Sequence, residues 1–151
     1  MQGKTHLAFG MLIAALLTLV THFNMLHKFL FFAMIVIGSV LPDIDTPKSY
    51  VGKRVKLNPA VLFGHRTLFH SFTIVVVLFI AFLFAKQARL LLGGLLIGYV
   101  SHLLLDALTL QGIVLFWPFK AKVRGSIATS SMIDHVLFYI FLITAFFILL
   151  R

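Results

Sequence analysis

Residues 90–110 read LLLGGLLIGYVSHLLLDALTL, from Leu90 to Leu110. As a helix this run is long enough to cross a hydrocarbon core of ~30 Å. It nevertheless contains His102 and Asp106. Four residues apart on a helix, they share one face, one turn above the other. Ionisable side chains in such a run are costly in lipid and face a protein interior or an aqueous cavity. The rest of the chain therefore has to supply partners for them.

The composition agrees with a membrane setting. Of 151 residues, 61% are apolar and only 11% are charged, where soluble domains run near a quarter charged. With no Cys, disulfides and thiolate metal ligands are excluded. The length suits one helical bundle, residues 1–151, and no second domain. A net charge of +9 raises nucleic acid as a partner, but no basic amphipathic helix or aromatic-basic module accompanies it. Lys and Arg in cytoplasmic loops, close to anionic headgroups, account for the charge instead.

Outward from the central run, four further apolar segments appear, which predicts an all-α, polytopic membrane bundle of about five segments. Leu7–Phe23 follows His6; with Lys4 alone before it and no small-residue cleavage pattern after it, a retained span is expected. Phe29–Leu41 is short, rising only ~20 Å as a helix, so it has to recruit residues 24–28, tilt, or be re-entrant. Leu68–Ala85 and Ile133–Leu150 are the remaining two. Between them lie a polar Pro- and Gly-containing loop, 42–66, and a second loop, 111–132, with Trp117 flanked by Phe116 and Phe119 as an interfacial anchor.

Loop charge orients the bundle. Lys4, Lys48, Lys53, Arg54, Lys56, Arg66, Lys120, Lys122 and Arg124 fall on one side, against Lys28, Lys86, Arg89 and Arg151 on the other. The first side is expected to be cytoplasmic, with the N-terminus.

The polar residues are distributed just as unevenly. The chain has four Asp and no Glu. His6, Asp43, Asp45, His65, His70, His102, Asp106, Asp134 and His135 all fall at the expected cytoplasmic end, leaving only His22 and His27 opposite. Imidazole with carboxylate suits zinc, manganese or non-haem iron. Asp43 and Asp45, held between Pro42 and Pro47, can aim two carboxylates at one cation or one at each of two. Asp106 can ligate directly or orient a ligating His. Four His and three Asp suit a two-metal centre that activates water and stabilises a phosphoryl oxyanion. Arg66, beside His65, is the candidate phosphate clamp. Taken singly, each has a structural alternative: a headgroup contact for a His, a turn for Asp43-Ile44-Asp45, an inter-helix hydrogen bond for Asp106, and a helix-start charge for Asp134. Their joint placement at one end favours a site.

Several pieces of this pattern fall in an ordered set: Lys4-Thr5-His6, Leu41-Pro42-Asp43-Ile44-Asp45, Gly64-His65-Arg66 through His70-Ser71, Ser101-His102 through Asp106 to Thr109, and Gly112-Ile113 to Trp117-Pro118. Over roughly residues 1–120 the chain resembles the YdjM-like, LexA-regulated, membrane-bound metal-dependent hydrolases. The resemblance implies integral membrane proteins with hydrolase activity, and ligands at His6, Asp43, Asp45, His65, His70, His102 and Asp106. That His and Asp pattern is similar to the helical zinc phospholipase C group, which also uses a Glu absent here.

The expected activity is hydrolysis of a phosphoester in a lipid or lipid-linked substrate at the cytoplasmic membrane. Water activated by one or two divalent ions, zinc before manganese or iron, would attack, Asp45 or Asp106 would serve as base, and Arg66 would hold the phosphate. A metal or proton transporter is the rival reading, and a scaffold with a structural metal site is a third. A transporter needs access from both sides, and the opposite end offers two His and no acid.

Overall fold

Long apolar runs in lipid have to satisfy their own backbone hydrogen bonds, which leaves helices as the available structure. A computed structural model describes residues 1–45, 69–114, 116, 119 and 121–151, with the side chains of Ile44 and Asp45 outside that description. Among the described residues the chain forms α1 (Gly3–Val20), α2 (Met25–Val40), a 3-10 turn (Leu41–Asp45), α3 (Phe72–Phe84), α4 (Arg89–Ala107) and α5 (Met132–Leu149). Among the described residues, four helical stretches are long and apolar enough to span a membrane: Gly3–Val20, Met25–Asp43, Lys86–Ala107 and Met132–Leu149. The protein is an all-α membrane helical bundle.

The short segment is not where the sequence places it. The second run gains length at its start, because the Asn24 side chain accepts the His27 amide at 2.9 Å and starts α2 at Met25. Continued through the 3-10 turn, it becomes a 19-residue apolar stretch. The third segment, expected over 68–85, is instead α3, with 13 residues. Ser71 is extended, with φ −114° and ψ 155°, and pairs with Val114, so the helix cannot begin before Phe72. The second loop is also more ordered than its composition suggests. It contains a two-stranded antiparallel hairpin, β1 (Ile113–Val114) with β2 (Lys122–Val123), that folds back on the end of α4. Gly112 turns the chain into β1 at φ +63°, where a side chain would also meet the Val123 carbonyl.

α2 packs most extensively on α4, α1 lies against both α2 and α5, and α3 leans on α4. The α2–α4 contact depends on small residues. A Cβ on Gly98 would overlap the Ile35 carbonyl oxygen, and one on Gly38 would overlap that of Leu95. Without a hydrophobic driving force between helices in lipid, such close backbone approach is what favours association. It also brings Ser39, at the end of α2, against His102 one turn beyond Gly98. Above this seam the core holds Val75, Tyr99, Leu103 and Ile113; nearer the other end it holds Ala14, Phe31 and Ile35. Large side chains such as Val77, Ile80, Phe146 and Phe147 face outward, as expected for surfaces against acyl chains.

Because the Gly98 position leaves no room for a side chain, Gly98→Val is expected to destabilise the bundle by about 1–3 kcal/mol through overpacking. It should also loosen the α2–α4 seam. Thermal unfolding of the detergent-solubilised protein measures this; an unchanged transition would refute the packing account.

Candidate metal centre

Helix ends deliver the polar side chains to one place. α1 presents His6 in its first turns, the turn after α2 presents Asp43, the segment before α3 presents His70, and the last turns of α4 present His102 and Asp106. All five are buried, with relative exposures of 1% for His6, 8% for Asp43, 2% for His70, 0% for His102 and 1% for Asp106.

Asp106 sits between the others. Its Oδ1 lies 3.1 Å from His6 Nε2 and accepts from the Met1 amino group at 2.7 Å. Its Oδ2 lies 3.7 Å from the Nε2 atoms of both His70 and His102. Asp43 Oδ1 is 3.8 Å from His70 Nε2. The His6 and His102 rings stack at 3.8 Å between centroids, and His70 meets His102 edge-on at 5.4 Å. Two triads have ligand atoms mutually within 4.8 Å: His6, His102 and Asp106, and Asp43, His70 and His102.

The nitrogen inventory fits a cation. His102 Nδ1 lies 2.7 Å from the Ser39 carbonyl oxygen, to which it donates, and this turns Nε2 toward Asp106 and the cluster. That is the arrangement in which an outer partner orients a metal-ligating imidazole. Buried polar atoms are almost always hydrogen-bonded, yet His102 Nε2 and His6 Nδ1 are buried without a hydrogen-bond partner among the described residues. Two buried carboxylates, Asp43 and Asp106, face these imidazoles, and buried charges are found paired or metal-bound. This set of buried His and Asp side chains can hold a metal ion.

Five of the seven predicted ligands thus come together. His65 and the proposed clamp Arg66 lie outside the described residues, as does the side chain of Asp45 and the proposed anchor Trp117. His135 does not join the cluster; its Nδ1 lies 2.8 Å from the Ser131 carbonyl within its own helix turn.

The YdjM inner membrane protein family matches residues 1–150. The chain belongs to that family. It is 33% identical over 127 residues to the uncharacterized protein YvsG of Bacillus subtilis (strain 168), covering 82% of this chain and 78% of that one. It is 39% identical over 97 residues to the inner membrane protein YdjM of Escherichia coli (strain K12), covering 59% of this chain and 50% of that relative. The inner membrane protein YdjM of Shigella flexneri matches to the same extent. The match thus spans half the length of the YdjM relatives. No solved structure matches.

In this member of the YdjM family, the supports of the cluster are mostly backbone groups, invisible in sequence. The Ser39 carbonyl is one. Another is the Phe69 carbonyl, to which the Tyr99 hydroxyl donates, fastening the turn before His70 to α4. Thr109 was visible within the motif set. Its hydroxyl donates to the Asp106 carbonyl at 2.8 Å and accepts the Gly112 amide at 3.2 Å, closing the end of α4 beneath the carboxylate.

Asp134 starts its own helix, as its position suggested, and reaches beyond it. Its Oδ1 accepts from the Thr5 hydroxyl at 2.7 Å; its Oδ2 accepts the Gln2 amide at 3.1 Å and the Ser130 amide at 2.8 Å. One buried carboxylate therefore satisfies the starts of both α1 and α5. α1 has no side-chain cap of its own. Thr5 immediately precedes His6, so Asp134 fixes the turn that aims that imidazole. Asp134→Ala is expected to weaken transition-metal affinity by about 10–100-fold, the range for loss of an outer support, while His102→Ala abolishes tight binding. Metal titration of the purified protein distinguishes them; unchanged affinity in both variants would remove the metal centre from consideration.

Proposed function

We propose that this protein is a metal-dependent hydrolase of a phosphoester bond in a lipid or lipid-linked substrate, working at the cytoplasmic boundary of the inner membrane. The observation that carries the reading is the buried His and Asp cluster, in which His102 Nε2 and His6 Nδ1 have no hydrogen-bond partner among the described residues, placed beside an apolar cavity. That cavity, of about 250 Å³, lies on the adjoining face of α4. Leu103 and Ala107, each next in sequence to a cluster residue, line it together with Phe72, two residues after His70. An acyl chain seated there would bring its headgroup to the helix ends, where the ligands are. A soluble metabolite would have no use for a site one or two turns inside the boundary.

A bound divalent cation would acidify water and draw charge from the phosphoryl oxygens. Zinc suits a His- and Asp-only donor set, with manganese or iron as alternatives. His102 offers one nitrogen, since the other serves Ser39. The two triads share that residue, so among the described residues a second ion would draw on Asp43, His70 and the other oxygen of Asp106. Because both Asp106 oxygens already face His6, His70, His102 and the Met1 amine, its role is to hold ligands and ion. Asp45 is then the base and Arg66 the phosphate clamp. The excess of Lys and Arg in the loops at this end supports the cytoplasmic placement.

The test is a hydrolysis screen of the purified, metal-loaded protein in mixed micelles, over phospholipids and polyprenyl phosphoesters. Activity should vanish on chelation and return with the metal. Asp106→Asn should lower the rate by at least the ~10–100-fold that loss of an outer-shell partner brings. Tight metal binding with no hydrolysis of any lipid phosphoester would instead make the centre a structural clasp.

A further inference from the structure

The end of the bundle opposite the cluster carries a cavity of about 530 Å³, within the ~300–1,000 Å³ typical of ligand pockets. Its wall is one face of α4, where Arg89, Gly93 and Ile97 recur at every fourth position. Phe31 from α2 and Phe82 from α3 form the sides, with Phe23 packed edge-on against Phe31 at 5.6 Å. The hollow depends on a missing side chain: a Cβ at Gly93 would already be in van der Waals contact with the Phe82 ring, at 3.4 Å.

The cavity is polar only at its mouth. Arg89 begins α4, and its Nη2 donates to the Leu83 carbonyl at 3.1 Å, in the last turn of α3. That bond holds the guanidinium at the end of α3, and among the described residues its other N–H donors have no hydrogen-bond partner, in a geometry suited to phosphate. Among the described residues no acidic side chain lies at this end. Lys28 near the start of α2 and Lys86 before Arg89 add positive charge there. From Arg89 to Ile97 the helix rises about 12 Å, a depth that takes a substantial part of an acyl chain.

We propose that this wedge between α2, α3 and α4 is a binding site for an anionic phospholipid of the leaflet opposite the metal centre. One acyl chain occupies the Gly93 hollow and the headgroup phosphate sits on Arg89. The site is separate from the proposed hydrolytic centre and stands whether or not that activity is found.

Native mass spectrometry of the full chain, with dioleoyl phosphatidylglycerol and dioleoyl phosphatidylcholine as probes, tests it. Phosphatidylglycerol should be retained preferentially. Arg89→Gln should reduce retention by roughly fivefold, the order expected for one basic residue at a lipid headgroup, and Gly93→Leu, which fills the hollow, should reduce it as well. Arg89→Lys should keep the preference, and metal content should stay constant in all three. Equal retention of the two lipids, or full retention in both Gly93→Leu and Arg89→Gln, would overturn the proposal. A photoactivatable phosphatidylglycerol on the unsubstituted protein decides independently of how the variants fold. Crosslinks at residues 89–97 are expected, and labelling confined to other helices would refute the site.

Discussion

A single carboxylate, Asp106, determines how this bundle can be assembled. A buried charge carries a desolvation penalty of several kcal/mol unless partners surround it. Asp106 draws those partners from separate segments: the chain start and His6 on one oxygen, His70 and His102 on the other. Each partner fixes a helix end. α1 has to begin beside α4, the segment before α3 has to turn inward, and the hairpin after α4 has to leave Thr109 free to close the helix terminus. The glycine seam between α2 and α4 serves the same end, because only close approach lets the Ser39 carbonyl reach His102.

Much of this could be read from the residues. The apolar runs gave the bundle, since a 61% apolar chain in lipid has few alternatives to helices. The gathering of Asp and His at one end followed from counting helix directions. Side-chain spacing fixed His102 and Asp106 on one face before any neighbour was known. Helix length was harder. The second segment looked short because Asn24–Lys28 is polar in part, and composition gives no weight to the Asn24 cap that recruits it. The third looked long because hydropathy does not register the pairing of Ser71 with Val114, a contact between residues more than forty positions apart.

The supports of the cluster were the least legible. A carbonyl oxygen is present at every residue, so nothing distinguishes Ser39 or Phe69 until the fold brings them to an imidazole or a phenol. Asp134 was different. Its place at a helix start was clear, and capping explained it. What sequence could not show was that the same carboxylate also serves α1, because that requires two helix starts to lie side by side. An acid with a sufficient local explanation can still have a second, long-range role, and in this bundle that role lies next to a candidate ligand.

The arrangement also bears on transport as the rival use of membrane-embedded His and Asp. An ion crossing the bundle would need a continued path of polar groups below the cluster. One turn beneath His102 on α4 lies Tyr99, whose hydroxyl is committed to the Phe69 carbonyl, one turn beneath Ser39 on α2 lies Ile35, and two turns beneath His6 on α1 lies Ala14, each with 0% exposure. Nearer the far end, Gly98 and Gly94 of α4 are closed against α2 backbone, so these small residues leave no gap between the two helices. Opening that seam would separate Ser39 from His102 and dismantle the centre that was to hand the ion on. On its other side the cluster adjoins the apolar cavity lined by Leu103, Ala107 and Phe72. Holding an ion in the cluster gives the polar end of α4 a use that does not call for the helices to part.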